Sequence, residues 1–149
     1  MSIATQSAPR MFEGSYEVVS RKLYPRLNEP HVRFSHDSFR FNQASVNALD
    51  HAEQISVFIN EAEKKLIVRP AEAHFAPGAK WTYTAGTQLR PQTIASASFM
   101  KKLYESMGWL PEFDYRTIGA TVQTHCGPML LFELDDSEMI IQQNAPLHQ

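Results

Sequence analysis

Apolar side chains recur at every second position in one segment of this chain after another: Val32 and Phe34, Phe39 and Phe41, then Ile55, Val57 and Ile59. A period of two is the spacing of a half-buried β-strand, whose successive side chains point to opposite faces. Arg33, Arg40 and Ser56, which lie between them, are polar, so these segments offer one face to a core and one to water. A chain of 149 residues patterned this way is predicted to form a single α+β, strand-rich domain.

Helical signals are confined to two places. Asn42 is a good amino-terminal cap for a short helix over residues 43–49, with Val46 and Leu49 on one face. A longer helix is predicted from residue 97 to Met107. Ser96 or Ser98 is its cap, Phe99, Leu103 and Met107 fall on one side with Met100 and Tyr104, and Gly108 suits the left-handed residue that ends it. Pro70 stops a hairpin that turns at residues 60–64, and the HCGP stretch at 125–128 turns a second hairpin between residues 115–123 and 129–134. Residues 14–21 read as a first strand. Residues 71–91, rich in turn formers, read as a long connection with one edge strand near Trp81.

The order of elements looks repeated. A strand at 32–41, a short helix and the hairpin 54–69 are matched by a candidate strand at 89–94, a helix and the hairpin 115–134. Neither unit, about residues 31–70 and 89–134, is large enough to bury its own apolar face. The expected architecture is therefore two strand-helix-hairpin units packed about a pseudo-twofold as a small barrel or sheet. Residues 12–141 would form this domain, with a flexible arm at 1–11 and a flexible tail at 142–149.

Net charge is −2, unevenly spread. Residues 1–40 carry Arg10, Arg21, Lys22, Arg26, Arg33 and Arg40 against four acids, whereas Glu133, Asp135, Asp136 and Glu138 crowd the carboxy-terminal part. Such polarity suits a basic face turned to a polyanion; solvated faces without a partner are the competing reading.

Signals for chemistry are sparse. The single cysteine, Cys126, excludes an internal disulfide and a cysteine-rich zinc site. Its neighbour His125 would point to the opposite face of a strand, so a small residue in a tight turn is the preferred reading over a nucleophile. His31, His36 and Asp37, or Asp50 and His51, lack metal-ligand spacing, and the six scattered glycines form neither a P-loop nor a dinucleotide fingerprint. No enzyme site, metal or cofactor is expected. Apolar runs fall far short of the roughly 20 residues of a membrane span, and no secretory start opens the chain, so a cytoplasmic location without membrane attachment is expected.

The stretch NQASVNALD at 42–50, with a strand before it and QISVFINEAEKKLIVRP at 54–70 after it, resembles in layout the swapped-hairpin domains of the AbrB transition-state regulator class. The resemblance implies a β-rich barrel, often a homodimer, that contacts DNA through Arg33, Arg40, Lys64, Lys65 and Arg69. The overall layout also resembles accessory proteins of phages and mobile elements. Two functions are expected as alternatives. One is a non-catalytic regulatory module whose basic edge, Arg21, Lys22, Arg26, Arg33, Arg40, Lys64, Lys65 and Arg69, contacts nucleic-acid phosphate. The other is an accessory or inhibitor factor that binds a host protein through exposed aromatic residues, Trp81 and Trp109.

Overall fold

The computed structural model describes residues 29–72 and 78–141. The predicted strand at 14–21, the side chains of Arg21, Lys22 and Arg26, and the predicted arm and tail lie outside them. The alternating segment at 32–41 is two strands, not one. β1 (His31–Phe34) and β2 (Ser38–Phe41) pair in a tight hairpin closed by Ser35 N–H donating to Ser38 O at 2.8 Å. Val32, Phe34, Phe39 and Phe41 all turn inward, leaving Arg33 and Arg40 outside.

Helix α1 (Gln43–Ala48) follows at once because Asn42 caps it and fastens it to β1. Asn42 Oδ1 accepts from Ser45 N and from His31 N, at 3.1 and 3.0 Å, so one side chain serves helix start and strand start together. The predicted hairpin at 54–69 is β3 (Gln54–Asn60) and β4 (Lys65–Pro70).

Residues 79–95 hold more structure than their turn-rich composition suggested. β5 (Ala79–Lys80) pairs with β3, and β6 (Thr82–Ala85) and β7 (Gln88–Pro91) form a separate two-stranded ribbon that turns through Gly86 at φ +66°. β8 (Ile94–Ala95) then pairs with β2. The single candidate strand at 89–94 is thus two strands with different partners, because Pro91 cannot donate to a ladder and breaks the run.

Helix α2 (Ala97–Met107) buries Met100, Leu103 and Tyr104 and ends at Gly108, φ +71°, as its spacing predicts. Ser96 occupies the cap position without a side-chain cap bond. β9 (Asp114–Thr124) and β10 (Gly127–Glu133) form the second predicted hairpin, and β11 (Glu138–Ile140) returns to pair with β9 after a 3-10 turn at Leu134–Asp136.

Among the described residues the strands run antiparallel in the order β5-β3-β4-β10-β9-β1-β2-β8, with β11 added beside β9. This sheet curls into a nearly closed barrel around Val32, Phe34, Phe41, Leu66, Val68, Leu130 and Phe132, with α1 and α2 packed against the same core. The hairpins β3–β4 and β9–β10 meet side by side through β4 and β10. Their outer neighbours differ, since β3 borders the two-residue β5 while β9 borders the whole β1–β2 hairpin. Between the two ends of the sheet lies a seam, an apolar groove of about 550 Å³ lined by Phe39, Ile55, Val57, Phe58, Ile94 and Phe99.

Candidate nucleic-acid interface

Because β1 and β2 send their apolar residues inward, their polar residues are forced onto one outer face. Arg33 and Arg40 are directly opposite across the hairpin. On the other side of β1, Arg33 is opposite Arg116 of β9, and Arg116 is opposite Glu138 of β11. Three guanidinium-bearing residues therefore lie in a row across adjacent strands, an arrangement that is unfavourable unless the charges are balanced. Arg33 Nε and Nη2 donate to Asp114 Oδ2 at 2.9 and 2.8 Å, and Arg116 pairs with Glu138. Arg40 differs. Its Nη2 donates to the backbone oxygen of Pro91 at 3.2 Å, and among the described residues no carboxylate pairs with it.

A cleft of about 320 Å³ opens beside this row, lined by Arg33, Ser35, Ser38, Arg40, Thr93 and Asp114. Ser35 and Ser38 hydroxyls are 3.0 Å apart at the hairpin turn. Two guanidinium forks beside three hydroxyl groups are suited to an oxyanion such as phosphate, which arginine can bind through two parallel hydrogen bonds. Asp114 already occupies Arg33, so the incoming anion would be held mainly by Arg40 and share Arg33.

The other basic residues named from the sequence are elsewhere. β10, β9 and β1 separate β4 from β2 along the sheet, so Lys64, Lys65 and Arg69 do not join the arginine row. Lys64 Nζ donates to the Ser106 backbone oxygen at 3.0 Å, tying the β3–β4 turn to the end of α2. Lys65 lies between Glu63 and Glu133, at 3.5 and 3.8 Å, and Arg69 rests over the Phe58 ring at 5.9 Å. Arg116, Ser35, Ser38 and Thr93 had no functional signal in the sequence. Alternation marks Arg116 as outward on its strand, but only the β1–β9 register places it beside Arg33.

Of the two tryptophans expected to be exposed, Trp81 departs from that expectation. Trp81 is fully buried, its ring edge-on to Phe41 at 5.3 Å and its Nε1–H donating to Ala52 O at 2.6 Å. Trp109 is half-buried, stacked on Tyr115 at 4.4 Å and edge-on to Tyr104 at 5.3 Å. Trp81 is therefore no exposed anchor, while Trp109 keeps part of its surface open; among the described residues Phe58 and Tyr83 are more exposed aromatic rings. Cys126 is exposed at the tip of β9–β10, where Thr124 Oγ1 accepts from its N–H at 3.1 Å. Among the described residues no group of three or more His, Cys, Asp or Glu is placed to hold a metal, and no helix is long and apolar enough to cross a membrane.

No family model, curated protein or solved structure matches this chain.

One titrating group adjoins the arginine row. His31 Nδ1 is buried without a hydrogen-bond partner among the described residues, and burial, assisted by the positive charge of Arg116, holds the imidazole below the usual histidine range. The unfolded chain takes up this proton near pH ~6.5, whereas the folded protein resists it. The stabilising effect is therefore complete above that pH and declines as pH falls through and below it. Urea midpoints at about pH 7.5 and about pH 5 are expected to show a drop in the wild type and a smaller drop in His31→Gln. Equal drops would remove His31 as the cause.

Proposed function

We propose that this protein is a non-catalytic nucleic-acid-binding module that seats a backbone phosphate in the cleft between Arg33 and Arg40. The observation that carries this reading is Arg40, a guanidinium beside a second arginine and the hydroxyls of Ser35, Ser38 and Thr93, yet without a carboxylate partner among the described residues. The layout of residues 31–70, with its resemblance to the AbrB class, supports the same ligand. In this reading the β3–β4 and β9–β10 hairpins are the paired halves of an approximate two-fold barrel, and the arginine row is a feature of one side only.

Binding of this kind is driven by counterion release and weakens steeply with salt. Fluorescence anisotropy of labelled oligonucleotides, titrated from low salt to about 0.2 M, is expected to give a linear fall of log affinity against log salt. Arg33→Ala/Arg40→Ala should weaken binding and reduce that slope by about 1, the contribution of one phosphate contact. Undetectable binding at low salt, or a double variant with an unchanged slope, overturns the reading.

A second reading, a factor that binds a protein partner, is supported by the open seam. β5 pairs only with Gln54 and Ile55, so among the described residues the outer edge of β3 from Ser56 to Asn60 has no strand beside it. An extended segment of a partner protein could add there as a strand, over the apolar groove. Under this reading the double arginine variant keeps its protein partner and the wild type shows no salt-dependent oligonucleotide binding.

A further inference from the structure

A second cleft lies across the barrel surface, where α1 packs on the β6–β7 ribbon. It has a volume of about 580 Å³ and is lined by Gln43, Asn47, His51, Gln88, Leu89 and Arg90, with no carboxylate among its lining residues. Three of these side chains are carboxamides, groups that present a donor and an acceptor together. The orientation of one is fixed: Gln43 Nε2 donates to Leu89 O at 3.1 Å and to Asn47 Oδ1 at 3.2 Å. Gln43 Oε1 is left buried and, among the described residues, accepts no hydrogen bond. An acceptor withdrawn from water without a donor is costly, and a turn of the Gln43 amide toward the cleft would let a ligand N–H satisfy it.

The cleft adjoins the arginine row. Arg40 donates to the backbone oxygen of Pro91, and Pro91 directly follows Arg90, a lining residue of the second cleft. Arg90 is opposite Tyr83 in the β6–β7 ladder, so the two side chains share a face, and Tyr83 is 45% exposed. Arg90 thus precedes the residue whose backbone oxygen Arg40 holds, with the uncovered Tyr83 ring opposite it on the ribbon and carboxamides in the cleft it lines.

Resting on the phosphate-binding reading, we infer that the ligand is single-stranded nucleic acid, one unpaired base of which enters the cleft between α1 and β6–β7. The physical reason is that a duplex keeps its base-pairing edges and ring faces inside the stack. An unpaired base offers the first to carboxamides and the second to an aromatic platform. Phosphates of the same strand would then lie along Arg90, Arg40 and Arg33.

Three ligands of equal length test this by anisotropy at one low salt concentration: a single-stranded oligonucleotide, its duplex, and a strand with abasic sites throughout. The single strand is expected to bind about 10-fold or more tighter than the other two. Tyr83→Ala/Gln88→Ala, two exposed positions, should lose about 10-fold for the single strand alone and leave the duplex and abasic affinities unchanged. If all three ligands bind equally and remain dependent on Arg33 and Arg40, the base cleft is wrong and the phosphate reading stands. If none binds at low salt, both fall.

Discussion

Trp81→Ala is expected to lower stability by about 3–5 kcal/mol, the largest effect of any single change considered for this protein. The ring is completely excluded from water, and removing it leaves a void against Phe41, itself only 2% exposed and in contact with Phe132 at 5.8 Å. Alanine also removes the indole N–H that Ala52 O accepts, leaving a carbonyl that connects α1 to β3 without its partner. Trp81→Phe would restore most of the ring but not the donor, and should recover roughly half of the loss. Urea unfolding of both variants checks this. A loss below about 1 kcal/mol for Trp81→Ala would mean that the ring does not fill the core.

Gly119→Ala is expected to cost about 1–3 kcal/mol although it adds one methyl group. Gly119 is opposite Phe132 where β9 passes along β10, and a Cβ there would be 2.5 and 2.6 Å from two carbons of the Phe132 ring and 3.0 Å from Leu131 O. The ring cannot retreat, because Phe132 is fully buried and meets Phe41 on its other side. The glycine is needed for space, so that an aromatic ring can cross the strand, and for no unusual backbone angle. Gly119→Ala combined with Phe132→Leu should recover part of the lost stability, since leucine vacates the position the new methyl takes. An unfolding midpoint for Gly119→Ala equal to the wild type would contradict the close approach.

Both positions show where local reading of the chain stops. Trp81 stands between prolines and glycines in a segment whose composition marks a loop, and that composition does produce turns at Gly86 and around Pro91. It does not reveal that the loop carries a ring into the centre of the barrel, because burial there depends on Ala52 and Phe41, which are far away in sequence. The Arg33–Arg40 pair was more accessible: alternation puts both side chains on the outer face of short strands. Its extension was not. Arg116 comes beside Arg33 only through pairing across more than 80 residues, and it is Arg33, not Arg40, that Asp114 pairs with.

The chain alone determines the elements that neighbours in sequence can stabilise. Period two makes the strands β1 to β4, the Asn42 side chain starts α1, Gly108 ends α2, and a two-residue turn at His125 and Cys126 closes β9–β10. Each of these rests on contacts a few residues apart, so a local pattern suffices to specify it. The tertiary structure alone decided that β1 borders β9, that β4 borders β10, and that the arginines and the carboxamides occupy adjoining clefts. Strand pairing of this range is chosen by which faces of the whole sheet can be buried together, a condition that no short segment contains.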